Sequence, residues 1–147
     1  MGALSTSPTN SDITNYYITI PKENLETAFW LESDRMLSLA FTEKSLEVQR
    51  QVVIEEFKQS YLNQPYGDVW LLLKPLAYTT HPYQWNTIGK DISHIEKANM
   101  GEVKAFYQKF YHPNNAILVL AGNISTQEAK VLCDKWFAPI PSRPRVE

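Results

Sequence analysis

The chain has 147 residues, of which 44% are hydrophobic and 12% aromatic, and its formal net charge is −2. This length suits one domain that buries most of its apolar surface, and the composition excludes a disordered chain. The small negative charge gives no field that would attract nucleic acid or anionic lipid, so binding to nucleic acid or to a membrane surface is not expected.

The first twelve residues are rich in Ser, Thr, Asn and Pro, which predicts an irregular lead-in over residues 1–12. They lack the basic and apolar parts of a signal peptide, and the chain has no apolar run of about 18 residues that could cross a membrane. The cell compartment therefore stays unknown. Apolar and polar residues then alternate from Thr14 to Ile20, which predicts a half-exposed strand that Pro21 ends.

Three helices are predicted next. Apolar residues recur at helical spacing from Lys22 to about Phe41 and again from Glu43 to about Leu62. Asp68 is predicted to cap a third helix. The apolar run of that helix, Val69–Leu73, is continuous and predicts a buried position.

The second half of the chain predicts two more helices, over residues 92–98 and 101–111, and then the apolar segment Ala116–Ala121. This segment, AILVLA, is typical of a strand that is buried on both faces. Ser125 followed by Glu128 predicts a capping box at the start of a last helix, which runs to about Phe137.

Residues 139–147, PIPSRPRVE, predict an exit linker, and residues 13–138 form the predicted domain. Two strands do not make a stable sheet, since about three or more with a covered face are needed. Either further strands escape the pattern or the sheet takes them from another chain.

The segment Glu47–Lys58, EVQRQVVIEEFK, carries several acidic residues on a helix with an apolar face. Gln49 and Glu56 are seven residues apart, which is close to two helical turns and places both on one face. A carboxylate on a buried helix face is a zinc-ligand candidate. Taken alone, the pattern is more typical of a solvated helix face.

Five segments between about residues 9 and 137 strengthen the prediction of a metal ligand on this helix because of the order in which they occur. They are SDITNYYITIP, LETAFWLESDRM, QRQVVIEEF, HPYQWNTIG and FYQKFYHPNNAILVLAGNI. In this order they resemble the zinc peptidases of the pitrilysin or insulinase family, the inverzincins, which include the mitochondrial processing peptidases. The resemblance implies an α/β (α+β) sandwich in which helices pack on a small, mainly antiparallel sheet. The predicted domain would be part of one such peptidase half-domain.

The family activity is zinc-dependent endopeptidase cleavage, in which a His-x-x-Glu-His helix supplies two ligands and the base, and a later glutamate supplies the third ligand. The resemblance implies that Glu56 is this third ligand, with Glu55 the less favoured choice. It also implies that Gln49 replaces a glutamate that supports the metal site.

The motif His-x-x-Glu-His occurs nowhere in the 147 residues, so no catalytic residue is predicted. Catalytic zinc needs three protein ligands and a positioned base, which one glutamate does not supply. We therefore expect the chain alone to be inactive and to bind no zinc tightly. His81 and His112 precede prolines and are predicted to structure loops, and His94 is predicted to be a surface residue.

The edge strand that binds peptide in the family carries an Asn-Ala pair, where this chain has Ser5–Pro8. Pro8 lacks a backbone donor, so we expect the chain alone not to bind peptide at this edge. Tyr16 and Tyr17 are predicted to pack, with an edge-strand contact to substrate as a second interpretation of Tyr17.

The remaining candidates are predicted to be structural. Asp34 and Arg35 suggest a helix ion pair or a loop anchor, and Cys133 suggests a small buried hydrophobe. Core anchors are predicted at all four tryptophans: Trp30, Trp70, Trp85 and Trp136.

A different class of function also fits the resemblance. The second hypothesis is that the chain is a non-catalytic interaction subunit that docks on an active peptidase half. A homodimer or a complementary half would complete the short sheet and cover its open edge. Peptide substrate would then belong to the intact peptidase.

Overall fold

The computed structural model describes residues 4–144 and divides into two compact units. The first unit comprises Met1–Ser7, Tyr16–Ala40 and Lys104–Glu147, and the second comprises Pro8–Asn15 and Phe41–Val103. Each unit is described separately below.

The first unit contains the two strands and two long helices. β1 (Leu4–Thr6) pairs antiparallel with β2 (Tyr17–Thr19), and Ser5 lies opposite Ile18. A 3-10 turn, Lys22–Asn24, leads into the first helix. The helices are α1 (Leu25–Leu37) and, near the end of the chain, α6 (Thr126–Trp136).

The core of this unit lies between α1 and α6. Phe29 on α1 is 3% exposed, and its ring lies 6.1 Å from the ring of Phe137, the residue that follows α6. The Glu26 carboxylate accepts hydrogen bonds from Lys135 and from the indole N–H of Trp136. The two helices are therefore joined by apolar packing and by polar contacts at the surface.

The second unit is built from helices. Its first helix is α2 (Glu43–Phe57), which continues as a turn of π-helix, Lys58–Leu62. The later elements are α3 (Val69–Ala77), the 3-10 turn Pro82–Gln84 and α4 (Ile92–Lys97). Helix α5 (Met100–Phe110) begins in this unit and from Lys104 onward belongs to the first unit, which also contains the 3-10 turn Pro113–Asn115.

The predicted fold class is confirmed: helices dominate, and the described sheet is small and antiparallel. The capping box at Ser125 is also confirmed, since its hydroxyl accepts from the backbone N–H of Glu128 and the Glu128 carboxylate accepts from that of Ser125. The predicted strand over Thr14–Ile20 is reduced to β2, and part of the irregular lead-in forms β1.

Two apolar segments contradict the prediction of burial. Ala116–Ala121 forms no strand, and Ile117 and Val119 in it are 92% and 79% exposed. Helix α3 has no buried residue, and Asp68 at its start makes no side-chain capping bond. The physical reason is the same for both segments: an apolar composition favours burial, but burial also requires a covering element, which composition does not specify.

The tryptophans were also predicted wrongly as core anchors in three of four cases. Trp30, Trp70 and Trp85 are 48%, 61% and 41% exposed, whereas Trp136 is partly covered. An indole is large, so it is rarely covered fully unless several elements surround it. None of the helices in residues 4–144 is long and apolar enough to cross a membrane.

Candidate metal-ligand helix

Helix α2 begins after the N-cap residue Thr42. The Thr42 hydroxyl accepts from the backbone N–H of Ser45 at 3.1 Å, and the Ser45 hydroxyl accepts from the backbone N–H of Thr42 at 3.1 Å. This reciprocal cap satisfies two donors that the first turn leaves without intrahelical partners. It fixes the start of α2 and thereby places Glu56 in the last turn of the helix.

The inner face of α2 is covered within the second unit. Ile54 and Phe57 are 6% and 4% exposed, and the Phe57 ring lies 5.3 Å from that of Tyr61 in the π-helical turn. The prediction of an amphipathic helix over this region is confirmed by this pair of buried residues. It fixes which face of α2 points away from the unit.

Arg50 belongs to the covered side and was not singled out by the sequence. Its guanidinium donates to the backbone carbonyls of Ile95 at 2.6 Å, Glu96 at 2.8 Å and Ala98 at 2.7 Å. These carbonyls lie at the end of α4, where a helix leaves acceptors without intrahelical partners. The only sequence signal is Glu47, which accepts from Arg50 at 3.0 Å one turn away.

The outer face of α2 carries the predicted ligand. Gln49 and Glu56 are both exposed, as their seven-residue spacing predicts for one face, and no hydrogen bond or ion pair of the Glu56 carboxylate occurs within residues 4–144. Its neighbour Glu55 is engaged, because Lys58 donates to the Glu55 carboxylate at 2.6 Å.

Apolar residues share this outer face with Glu56. Val48 and Val52 are 59% and 52% exposed. They precede Glu56 at successive four-residue steps, which stacks the three side chains along one stripe of the helix. A solvated helix face usually carries polar residues at such positions, so the stripe is suited to being covered by another element.

Irregular backbone follows directly after Glu56. The π-helical turn Lys58–Leu62 departs from α-helical bonding, and such turns are frequent at functional sites. Tyr66, shortly after it, has a φ of 60° and is 86% exposed. A tyrosine in the left-handed region costs free energy, which marks this end of α2 as conformationally specific.

The three histidines of the described chain do not form a metal site with one another or with acidic residues. Within residues 4–144, no group of three or more His, Cys, Asp or Glu residues could hold a metal ion. His81 Nδ1 accepts from the backbone N–H of Tyr83 at 3.2 Å, a loop-structuring contact. His112 is 1% exposed with Nε2 at 3.1 Å from the Lys109 carbonyl, and His94 is exposed.

The predicted tyrosine pair behaves differently at its two positions. The Tyr16 hydroxyl lies 2.7 Å from that of Tyr111, and the Arg35 guanidinium lies 4.4 Å from the centre of the Tyr16 ring. Burial, followed by the hydrogen bond to Tyr111, raises the pKa of Tyr16 to about 12. Tyr17 lies in β2 and is 49% exposed, and its edge-strand contact to substrate stays a prediction.

Two other structural predictions, those for Arg35 and Cys133, are tested by the surroundings of these residues. Arg35 forms its ion pair with Glu32 at 3.0 Å, where Asp34 was one predicted partner, because residues three apart face each other on a helix and adjacent residues do not. Burial raises the pKa of the half-buried Cys133 thiol, which suits a small hydrophobe better than a nucleophile.

Comparisons with known proteins all find similarity to one family of peptidases. The model of the Peptidase M16 inactive domain matches residues 97–147, so Glu56 lies outside that match. The chain is 33% identical over 136 residues to the zinc protease PqqE of Helicobacter pylori (strain ATCC 700392 / 26695), covering 92% of this chain and 30% of that protein. It is 27% identical over 129 residues to the uncharacterized zinc protease YmxG of Bacillus subtilis (strain 168), covering 88% and 31%.

Two crystal structures share the fold. A protease from Helicobacter pylori superimposes with a TM-score of 0.92 at 31% identity, over 97% of this chain and 34% of that one. The first half of the periplasmic protease PqqL from Escherichia coli superimposes with a TM-score of 0.80 at 22% identity, over 97% and 31%. The chain is thus a pitrilysin-family, zinc-metallopeptidase-like sequence that spans about a third of the length of the relatives it matches.

Proposed function

We propose that this chain contributes one ligand-bearing helix to a zinc-dependent endopeptidase and has no peptidase activity alone. The observation that carries the proposal is the outer face of α2, where Glu56 is exposed beside two exposed valines and has no partner within residues 4–144. Glu56 is the third zinc ligand in this proposal, and Gln49 stands two turns earlier as a supporting residue. The substrate is a peptide of the intact peptidase.

The described donor set does not fit a complete zinc site. Catalytic zinc takes three protein ligands plus water, and a group of three candidate ligands is missing from residues 4–144. Glu56 alone therefore cannot hold the metal against water. The complementary part of the peptidase would have to bring the two other ligands and the base to the Val48–Glu56 stripe.

Zinc titration by calorimetry tests the isolated chain. We expect no stoichiometric tight binding, with the same result in Glu56→Gln and in the matched control Glu55→Gln. Tight one-to-one binding that Glu56→Gln abolishes and Glu55→Gln preserves would overturn the proposal, because the chain would then hold the metal unaided.

A chimera tests the ligand role itself. The 136 residues of the Helicobacter pylori relative that match this chain are replaced by the chain. We expect the purified chimera to retain zinc and to cleave a peptide, and Glu56→Gln to lose both while Glu55→Gln keeps both. A folded Glu56→Gln chimera with full zinc content would exclude Glu56 as a ligand.

The same chimera tests the supporting position. Residues that orient a metal ligand typically change metal affinity by about 10- to 100-fold. Gln49→Glu is therefore expected to strengthen zinc binding by about tenfold or more in the chimera, measured by competition with a chelator. An unchanged zinc affinity would show that residue 49 does not support the metal site.

A second candidate is a non-catalytic subunit that docks on an active peptidase half. Helix α3 favours it, since Trp70, Leu72 and Leu76 are 61%, 62% and 77% exposed on one short helix. Exposed apolar surface of this kind marks an interaction site. Light scattering after size exclusion, with the chain alone and then mixed with the Helicobacter pylori relative, distinguishes a monomer, a homodimer and a mixed complex.

A further inference from the structure

A cavity of about 400 Å³ lies between α6 and the residues that begin α1, within the first unit. We call it the α1–α6 cavity. Its apolar lining residues are Leu25, Ile124, Val131 and Leu132, and its polar lining residues are Lys22, Glu23, Glu26, Gln127 and Glu128. The polar residues are all exposed, so they stand at the mouth of the cavity. Cavities of this volume suit small organic ligands, and the chemistry of the lining indicates which ligand fits.

The apolar part of the lining suits a hydrocarbon chain. Leu25, Ile124 and Leu132 are partly covered within the unit, whereas Val131 is 54% exposed. A methylene chain lying on these side chains removes apolar surface from water on both sides of the contact, which is favourable. The four side chains have no polar atoms, so they offer a ligand no hydrogen bond. The middle of a fitting ligand is therefore apolar.

The polar part of the lining is negatively charged. Three described lining residues carry carboxylates, and one, Lys22, carries a positive charge. Glu23 forms no ion pair with any residue in the range 4–144. The Lys22 ammonium lies 3.8 Å from the Glu128 carboxylate, which is too far for a hydrogen bond. A cationic group on a ligand is thus attracted to this lining, and an anionic group is repelled.

Two of the carboxylates are each held through one oxygen. Glu128 Oε2 accepts from the backbone N–H and from the hydroxyl of Ser125, both at 2.8 Å. Glu26 Oε1 accepts from Lys135 and Trp136. The Ser125 bonds have the largest effect in lowering the pKa of Glu128, and the Lys135 bond has the largest effect in lowering that of Glu26. Both groups stay ionised at neutral pH, and their second oxygens accept no hydrogen bond from the described residues.

The two held carboxylates are separated along α6. Glu128 lies in the first turn of this helix, and Lys135, which donates to Glu26, lies seven residues later in its last turn. Seven residues correspond to about two helical turns, or roughly 10 Å along the helix axis. A ligand that reaches both carboxylates therefore needs two cationic ends, joined by an apolar chain that spans this separation.

We propose that the α1–α6 cavity binds a linear aliphatic diamine with both ends protonated. The methylene chain lies on the apolar lining, one ammonium group faces Glu128, and the other faces Glu23 and Glu26. An amine with a single cationic end leaves one of these carboxylate positions without a partner. The site belongs to the first unit and uses no residue of α2, so it goes beyond the proposed function and does not depend on the ligand role of Glu56.

Titration of the whole chain with diaminooctane, followed by amide NMR, tests the inference. We expect saturable shifts at the amides of Leu25, Ile124 and Val131. Octylamine has one cationic end, so it is expected to bind about two- to fivefold more weakly, the factor that one exposed ion pair contributes. Octanediol keeps the chain without charge and is expected to bind more weakly still. Equal binding of octanediol and diaminooctane overturns the inference, as does the absence of shifts at these amides.

Salt distinguishes the charged contacts from the apolar ones. Ions screen the attraction between exposed charges, so added sodium chloride is expected to weaken the binding of diaminooctane more than that of octanediol. A diaminooctane affinity that does not change with salt overturns the role of the carboxylates.

Matched variants locate the ligand. Val131→Lys places a cation on the apolar lining and is expected to eliminate the diaminooctane shifts. Val119→Lys is the control, because Val119 is 79% exposed and outside this lining. Glu23→Gln and Glu128→Gln are each expected to weaken binding about two- to fivefold, and glutamine at position 128 can still complete the capping box. Equal loss in Val131→Lys and Val119→Lys overturns the inference.

A lysine peptide distinguishes a free diamine from a protein side chain. A short peptide with one lysine and an acetylated amino terminus presents a single ammonium group on an aliphatic stem. We expect it to bind the cavity more weakly than diaminooctane, because it reaches only one end. Tighter binding of the peptide, with the same amide shifts, overturns the assignment and identifies a protein side chain as the ligand.

Discussion

The two faces of α2 differ in what this chain provides for them. On the inner face, Ile54 and Phe57 are buried and Arg50 is bonded to three backbone carbonyls. On the outer face, Val52 is half exposed and the Glu56 carboxylate has no partner in residues 4–144. The inner face is covered by neighbouring residues of the same unit. The outer face has the composition of an interface. The difference teaches that apolar residues on the uncovered side of a helix can indicate a second packing surface.

The largest expected effect distinguishes the faces by stability. Phe57→Ala removes a buried ring and is expected to lower the free energy of unfolding by about 3–5 kcal/mol. Val52→Ala is the matched control on the outer face and is expected to change it by no more than about 0.5 kcal/mol. Urea denaturation followed by circular dichroism measures both. Similar losses would mean that the outer face is also covered.

Arg50 is the next test of the inner face. Arg50→Met keeps the length of the side chain but leaves the Ile95, Glu96 and Ala98 carbonyls without their charged donor. Hydrogen bonds to charged groups contribute about 1.5–3 kcal/mol, so we expect a loss of about that size. Hydrogen exchange should accelerate in α4. Arg50→Lys should recover part of the loss, and no change in α4 would contradict the contact.

A pH titration tests a smaller effect at the edge of α2. The hydrogen bond from Gln51, and then that from Arg50, lowers the pKa of Glu47 below its ordinary value. A lowered pKa in the folded state stabilises the fold above the ordinary glutamate pKa, and this contribution disappears as the pH falls through the folded value. Carboxylate NMR should show the Glu47 pKa rising in Gln51→Ala. A Glu47 pKa that stays low in this variant would assign the shift elsewhere.

The smallest expected effect is on the outer face. Glu56→Gln should leave the free energy of unfolding of the isolated chain within about 0.5 kcal/mol of the original, since a surface carboxylate without a partner contributes little. The same change should abolish zinc retention in the chimera. A marked loss of stability in the isolated chain would show that Glu56 has a structural partner, and would weaken its assignment as a ligand.

The sequence predicted what local spacing controls. Ser125 and Glu128 predict their capping box because all of its atoms lie within one helical turn. The seven-residue spacing of Gln49 and Glu56 predicts one face for the same reason. Arg50 was missed, because its acceptors lie on α4 more than forty residues later and nothing local identifies them.

Burial was predicted less well than helix position. Ala116–Ala121 and Val69–Leu73 have compositions typical of a core, yet both are exposed in the described structure. Composition reports how strongly a segment favours burial, and a neighbouring element must exist before that preference is satisfied. The exposure of these segments therefore indicates which apolar surfaces are suited to being covered by another element.

The sequence by itself determined where most of the helices lie, the capping box at Ser125 and, through the order of five segments, the resemblance to pitrilysin-type peptidases that the comparisons support. It also determined that the motif His-x-x-Glu-His does not occur in these 147 residues. Only the tertiary structure decided that Glu56 lies on the uncovered face of α2 and that a cavity lies between β2 and residues 118–121. The reason is physical: caps and helical periods depend on neighbours within a few residues, whereas burial depends on contacts between distant parts of the chain.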